Sequence, residues 1–149
     1  MANIFRTLIR WLADAAAGLV VTVLLAECIF ALLILFGSPE HLLWTVTEPA
    51  AAASSAPAML AVVWLIATAA GSLLATTSNG HLSAALPAGV LPTASMVLMA
   101  WFYHQPIGVI GTLAFGPLLG CLLGTVSGRA VRRGDQTETE MMSPHGAEI

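Results

Sequence analysis

The sequence predicts an all-α polytopic membrane protein: a bundle of four transmembrane helices with both termini in the cytoplasm. Three observations predict it. Hydrophobic residues make up 58% of the 149-residue chain and charged residues only 9%, against about 25% charged in an ordinary soluble domain. Four apolar runs are each long enough to cross a hydrocarbon core of about 30 Å, which takes roughly 20 helical residues. All five basic residues, Arg6, Arg10, Arg129, Arg132 and Arg133, lie near the two ends of the chain, and there is no lysine.

The arginines set the threading. Basic flanks stay on the cytoplasmic side of a membrane, so both ends share that side and the number of spans is even. The same placement excludes nucleic acid as a partner. A phosphate-binding surface needs clustered Lys or Arg, and no fixed positive charge stands between Arg10 and Arg129.

The first span covers residues 11–36. It follows Arg6 and Arg10 as a signal peptide would, but it is longer than a signal h-region and no A-x-A site closes it before Pro39. It reads as an uncleaved span. "SPEHLLWTV" then carries a helix-start signature: Ser38 as N-cap, Pro39 at the first helical position and Glu40 in the first turn. Leu42, Leu43, Trp44 and Val46 supply an apolar side, so a short helix lying in the outer interface is expected. The stretch "EPAAAASSAP" links it to the second span, residues 57–77. "TTSNGH" makes a tight inner turn to the third span, residues 83–103. Trp101, Phe102 and Tyr103 form an aromatic belt at the outer face, and Trp11 takes that part at the inner face. The fourth span covers residues 107–127. Residues 1–133 thus form one transmembrane domain. The acidic tail, 134–149, has no periodicity and is expected to be disordered.

The fourth span holds a pattern that a soluble helix would avoid. Gly116, Gly120, Gly124 and Gly128 recur at every fourth residue, and each glycine costs a helix about 1 kcal/mol against alanine. In lipid, helices associate by close packing, and small residues let backbones approach. The four glycines, extended backward by Thr112 and Gly108, form one flat i, i+4 ridge suited to a right-handed crossing near −40°. Ala67, Gly71 and Ala75 form a shorter strip of the same kind on span two. Two readings stay open: the ridge packs span four on span two, or it joins copies of the chain. Pro117 and Pro92 interrupt the hydrogen bonding of their helices and predict kinks.

Few residues could carry chemistry. Glu27 lies at membrane depth in "VLLAECIFALL". A carboxylate there costs a few kcal/mol and is expected to face the bundle with a partner. No Arg or Lys is available at that depth, which leaves a proton, hydroxyls such as Thr68, Thr93 or Ser95, or water. It reads either as a proton-exchanging group or as a neutral acid holding helices together. Asp14 lies one turn after Arg10 and is expected to pair with it. His41, Glu40, Glu48 and His104 share the outer side, where His41 and His104 are the weak candidates for a metal ion, but their spacing specifies none. His81 and His145 are expected in solvent. Cys28 and Cys121 lack metal-type spacing and read as buried small apolar residues. No nucleophile, paired acid and base, zinc motif or phosphate loop is present, so neither an enzyme nor a cofactor is expected.

From Trp64 to Arg133, "WLIATAAGSLLATTSNGH" and "WFYHQP", together with Glu27 in the first helix, resemble a group of small uncharacterised bacterial inner-membrane proteins with four spans. Their His and Pro are usually adjacent, whereas Gln105 separates them here. The resemblance implies a multi-pass inner-membrane protein and no particular activity. Ala26-Glu27 in helix one and the glycine-rich fourth helix are also similar in design to the small multidrug-resistance exporters, without their aromatic third-helix motif. The expectation is a packing or accessory protein whose partners are the bilayer and either its own copies or other membrane subunits. The alternative is a proton-coupled small-molecule carrier using Glu27.

Overall fold

The computed structural model describes residues 2–36, 56–79 and 82–142. These form four helices, with no strand among the described residues: α1 (Ala2–Phe36), α2 (Ala56–Asn79), α3 (Leu82–Phe102) and α4 (Ile107–Met142). Each contains an apolar stretch long enough to cross a membrane: Ile4–Phe36, Pro57–Ser78, Leu82–Phe102 and Ile107–Asp135. The four expected spans fall on these four helices, with Tyr103 one residue past the end of α3. The proposed interfacial helix after Ser38, with His41, lies outside the described residues, as do His81 and His145.

Contacts at the two ends of the bundle set the helix directions. At one end Trp11 of α1 packs on Ala75 of α2 and on Ala84 and Ala85 of α3, while Gly128 of α4 lies against Thr76. At the other end Leu60 of α2, Ala100 of α3, and Val109 and Leu113 of α4 cluster with Phe30 of α1. The helices therefore run alternately up and down. Arg6, Arg10, Arg129, Arg132 and Arg133 all stand exposed at the same end.

Two helices are longer than a span needs, α1 with 35 residues and α4 with 36. The tail that composition marks as disordered from residue 134 is helical as far as Met142. The segment "QTETEMM" is rich in good helix formers, and an existing helix propagates into it more cheaply than a new one nucleates. Thr137 also returns its hydroxyl to the Arg133 carbonyl at 2.8 Å. Pro144 is the first strong breaker.

The core is made where α2 meets α4. Gly116 lies on the Ala61 carbonyl, Gly120 on the Leu65 carbonyl and the Thr68 hydroxyl, and Gly124 on the Ala69 carbonyl. A single methyl group at any of these three glycines would overlap the α2 backbone. Gly128 meets Thr76 and the Leu73 carbonyl. The glycine row thus lies against Ala61, Leu65, Ala69 and Leu73, another row spaced by four, which is ridge packing of the i±4 kind.

The strip Ala67, Gly71 and Ala75 faces α1, not α4. Gly71 touches the Gly18 carbonyl and the Thr22 hydroxyl, and Gly18 approaches the Ala75 methyl. Alanine and glycine occupy two adjacent faces of α2, so that helix can be gripped closely from both sides. Glycine cannot be replaced for free at Gly71, where an added Cβ would run into α1. Gly108 differs from the rest of its row, because nothing lies within 4 Å of the position its Cβ would take.

Both α3 and α4 continue through their prolines, Pro87 and Pro92 in the first and Pro117 in the second. Thr68 Oγ1 lies 2.6 Å from the Trp64 carbonyl of its own helix and 3.1 Å from the Pro117 carbonyl of α4. One hydroxyl proton is shared among these acceptors, tying α2 to α4 at the height of the proline.

α3 ends in a Schellman turn. His104 has φ 54°. Its N–H donates to the Trp101 carbonyl at 3.0 Å, and the Gln105 N–H donates to the Ala100 carbonyl at 2.9 Å, the two bonds that define this cap. Pro106 then opens α4, its carbonyl accepting from the N–H groups of Val109 and Ile110. "WFYHQP" is therefore a reversal device: a left-handed residue to stop one helix and a proline to start the next.

Candidate functional site

Glu27 is the one acidic or basic side chain that the sequence places deep in a span, so its surroundings bear on what the protein could do. It sits nine residues before Phe36 on α1, about 14 Å of helix rise from that end. Its neighbour Ala26 packs on Val63 and Ala67 of α2, which fixes the same depth from a second helix. That depth is well inside a 30 Å hydrocarbon core.

The expectation that Glu27 faces the bundle is overturned. α1 turns Ala15, Gly18, Thr22 and Ala26 inward, and all four are buried. Glu27 follows Ala26 by about 100° of helix rotation and is exposed on the outer side, as is Cys28. The physical reason is the demand for close packing. The inward stripe of α1 is made of the small residues that let it approach Gly71 and Ala75, and no room for a carboxyl exists there.

The hydroxyls offered as partners are used elsewhere. Thr68 is engaged at Trp64 and Pro117. Thr93 donates to the Gly89 carbonyl at 2.7 Å and Ser95 to the Leu91 carbonyl at 2.9 Å. No hydrogen bond or ion pair reaches Glu27 from any described residue. An ionised carboxylate left at the middle of a bilayer costs about 3 kcal/mol on insertion scales. The surface around Glu27 is therefore the costly part of this molecule in lipid.

Other candidates take their places in the fold. His104 is an exposed cap residue, with Nδ1 3.3 Å from the Trp101 carbonyl. Among the described residues no group of three or more His, Cys, Asp or Glu could hold a metal ion. Asp14 is half-buried, and no ion pair joins it to Arg10 in the described structure. Cys121 is buried, with its Sγ 3.6 Å from the Ala85 carbonyl. Trp11 is more than an interfacial aromatic: it is half-buried, and its Nε1 donates to Ser83 Oγ at 2.9 Å, joining α1 to α3. Trp101 and Phe102 are 72% and 76% exposed at the end of α3, as a belt at the membrane boundary would be.

Four long apolar helices with small-residue contacts define a multi-pass integral membrane protein. No family model, curated protein or solved structure matches the chain.

Proposed function

We propose that the protein is a packing or accessory component of the bacterial inner membrane that acts by associating within the membrane plane, with its own copies or with other membrane subunits, and is not an enzyme. Both arginine-bearing ends lie in the cytoplasm in this reading, as basic flanks favour. The observation that carries it is Glu27 at membrane depth, exposed and without a hydrogen-bond or ion-pair partner among the described residues. A costly polar group on the lipid-facing side of a bundle is relieved when another protein covers it. The glycine ridge is used inside the chain on α2, so association in this reading uses another surface.

The carrier reading asks for Glu27 on the inner side of the bundle, open to a water-filled path. Its outward position favours association over transport by a single copy.

The test is to count chains. The tagged protein is extracted from native membrane into polymer nanodiscs without detergent, and single-molecule photobleaching steps are scored with a known monomer as reference. More than one copy per disc, or a second subunit present in fixed ratio, is expected. A single copy with no stoichiometric companion refutes the reading.

A further inference from the structure

The outer face of α1 has an order of its own. Ala17, Val20, Leu24, Glu27, Ala31 and Ile34 are all exposed, and they are spaced alternately by three and four residues. That is the seam of a left-handed helix pair, whose facing positions repeat every 3.5 residues. It lies on the span that the rest of the chain covers least. Only 11% of the most apolar window of α1 is buried, against 28–44% for the other three.

Resting on the association reading, we infer that this seam is a parallel interface with a second copy of the chain, α1 on α1, with the two Glu27 carboxyls hydrogen-bonded to each other across the axis. Every copy is threaded the same way, because all the arginines stand at one end. Two copies side by side therefore present parallel α1 helices. In a parallel pair each seam position meets its own counterpart. Glu27 is the one polar residue of the seam, and self-pairing sets it opposite the other Glu27. Every other seam position then meets an apolar side chain.

Two carboxyls in contact satisfy each other when at least one holds its proton: that O–H donates and the other oxygen accepts. No Lys or Arg is needed, and the chain supplies none between Arg10 and Arg129. Alanine at positions 17 and 31 keeps the helices close on either side of the pair. Leu12 and Leu32 are also exposed, 51% and 55%, but they lie off the seam.

Oxidative cross-linking in native membrane tests this directly. Single cysteines are placed along α1 in a Cys28→Ala, Cys121→Ala background. Cross-linked dimers are expected at positions 17, 20, 24, 31 and 34, and not at 12 or 32. The dimer affinity in bicelles, read by energy transfer, is the second measurement. Glu27→Gln can still donate and accept across the axis, and is expected to stay within about threefold of the parent. Glu27→Leu is expected to weaken the dimer about tenfold, the scale of one interhelical hydrogen bond in lipid. Leu is well tolerated in a lipid-facing span, so folding is not at stake, and helix content checks it.

Dimers cross-linked at other positions, or a dimer indifferent to Glu27→Leu, overturn the inference and leave the association reading standing. So does a cross-link from the seam to a different membrane protein with no self-pairing. A lone monomer in native membrane overturns both.

Discussion

The contact between α2 and α4 makes a quantitative prediction. Replacing Gly120 with alanine adds one methyl group where the Leu65 carbonyl and the Thr68 hydroxyl already stand. The same change at Gly108 or Gly111 adds it to open space. Both changes gain helix propensity, up to about 1 kcal/mol. At Gly120 that gain is opposed by overpacking, about 1–3 kcal/mol. Separating the helices also stretches the Thr68–Pro117 hydrogen bond, which is 3.1 Å long, at a further cost of about 1 kcal/mol. Gly120→Ala should therefore fall below Gly108→Ala by about 2–4 kcal/mol, at least a thirtyfold change in the folded-to-unfolded ratio. Gly116→Ala and Gly124→Ala should behave like Gly120→Ala, because each methyl would also meet an α2 carbonyl. Gly128→Ala should be milder: its nearest neighbour, at 2.8 Å, is the Thr76 side chain, and the Leu73 carbonyl is 3.1 Å away. Reversible unfolding in bicelles by steric trapping reads these differences. Equal stability of the Gly120 and Gly108 variants would refute the packing argument.

Three further outcomes follow. Thr68→Val keeps the side-chain shape but removes the hydroxyl that reaches Pro117, and should cost about 1 kcal/mol in the same unfolding assay; an unchanged midpoint would mean the hydroxyl does not hold α2 to α4. His104→Gly should stabilise by about 0.5–1 kcal/mol, because φ 54° suits glycine and strains other residues; His104→Val should lose stability, and the reverse order would assign His104 a role beyond the cap. In a background without native cysteines, a membrane-impermeant maleimide should label position 104 from the outer face and positions 81 and 136 from the inner face. Labelling of 81 and 104 from one side would end the four-span threading.

The sequence makes the spans legible because crossing a bilayer demands length and apolarity, and both can be read directly. The glycine row was visible for a similar reason: four glycines at one spacing contradict helix propensity unless something lies close. What that row touches was hidden. Two rows on α2, one of Ala61, Leu65, Ala69 and Leu73 and one of Ala67, Gly71 and Ala75, both carry small residues, and spacing alone does not rank them. The face shown by Glu27 was hidden too. In soluble helices a polar side tells inside from outside, but α1 is apolar almost all the way round, and in a membrane its outer side is apolar as well. There the inward face is marked by smallness, as at Ala15, Gly18, Thr22 and Ala26, and a carboxyl is excluded from it by size. The helix from residue 134 to Met142 is hard to read in the sequence because its composition is polar, although its residue types favour continuing a helix already begun.

The most intimate pair, α2 and α4, is not a pair of neighbours in the chain. During synthesis α2 is complete before α3, the Schellman turn at His104 and the whole of α4 have been made. Until then Ala61, Leu65, Ala69 and Leu73 have no glycine row to receive them. The first two spans can wait as a hairpin, held by Gly18, Thr22 and Gly71, but the α2 row is filled only when α4 arrives. Assembly is thus timed by the synthesis of α4, and a nascent chain stalled before Ile107 leaves that row of α2 open to lipid or to whatever escorts it.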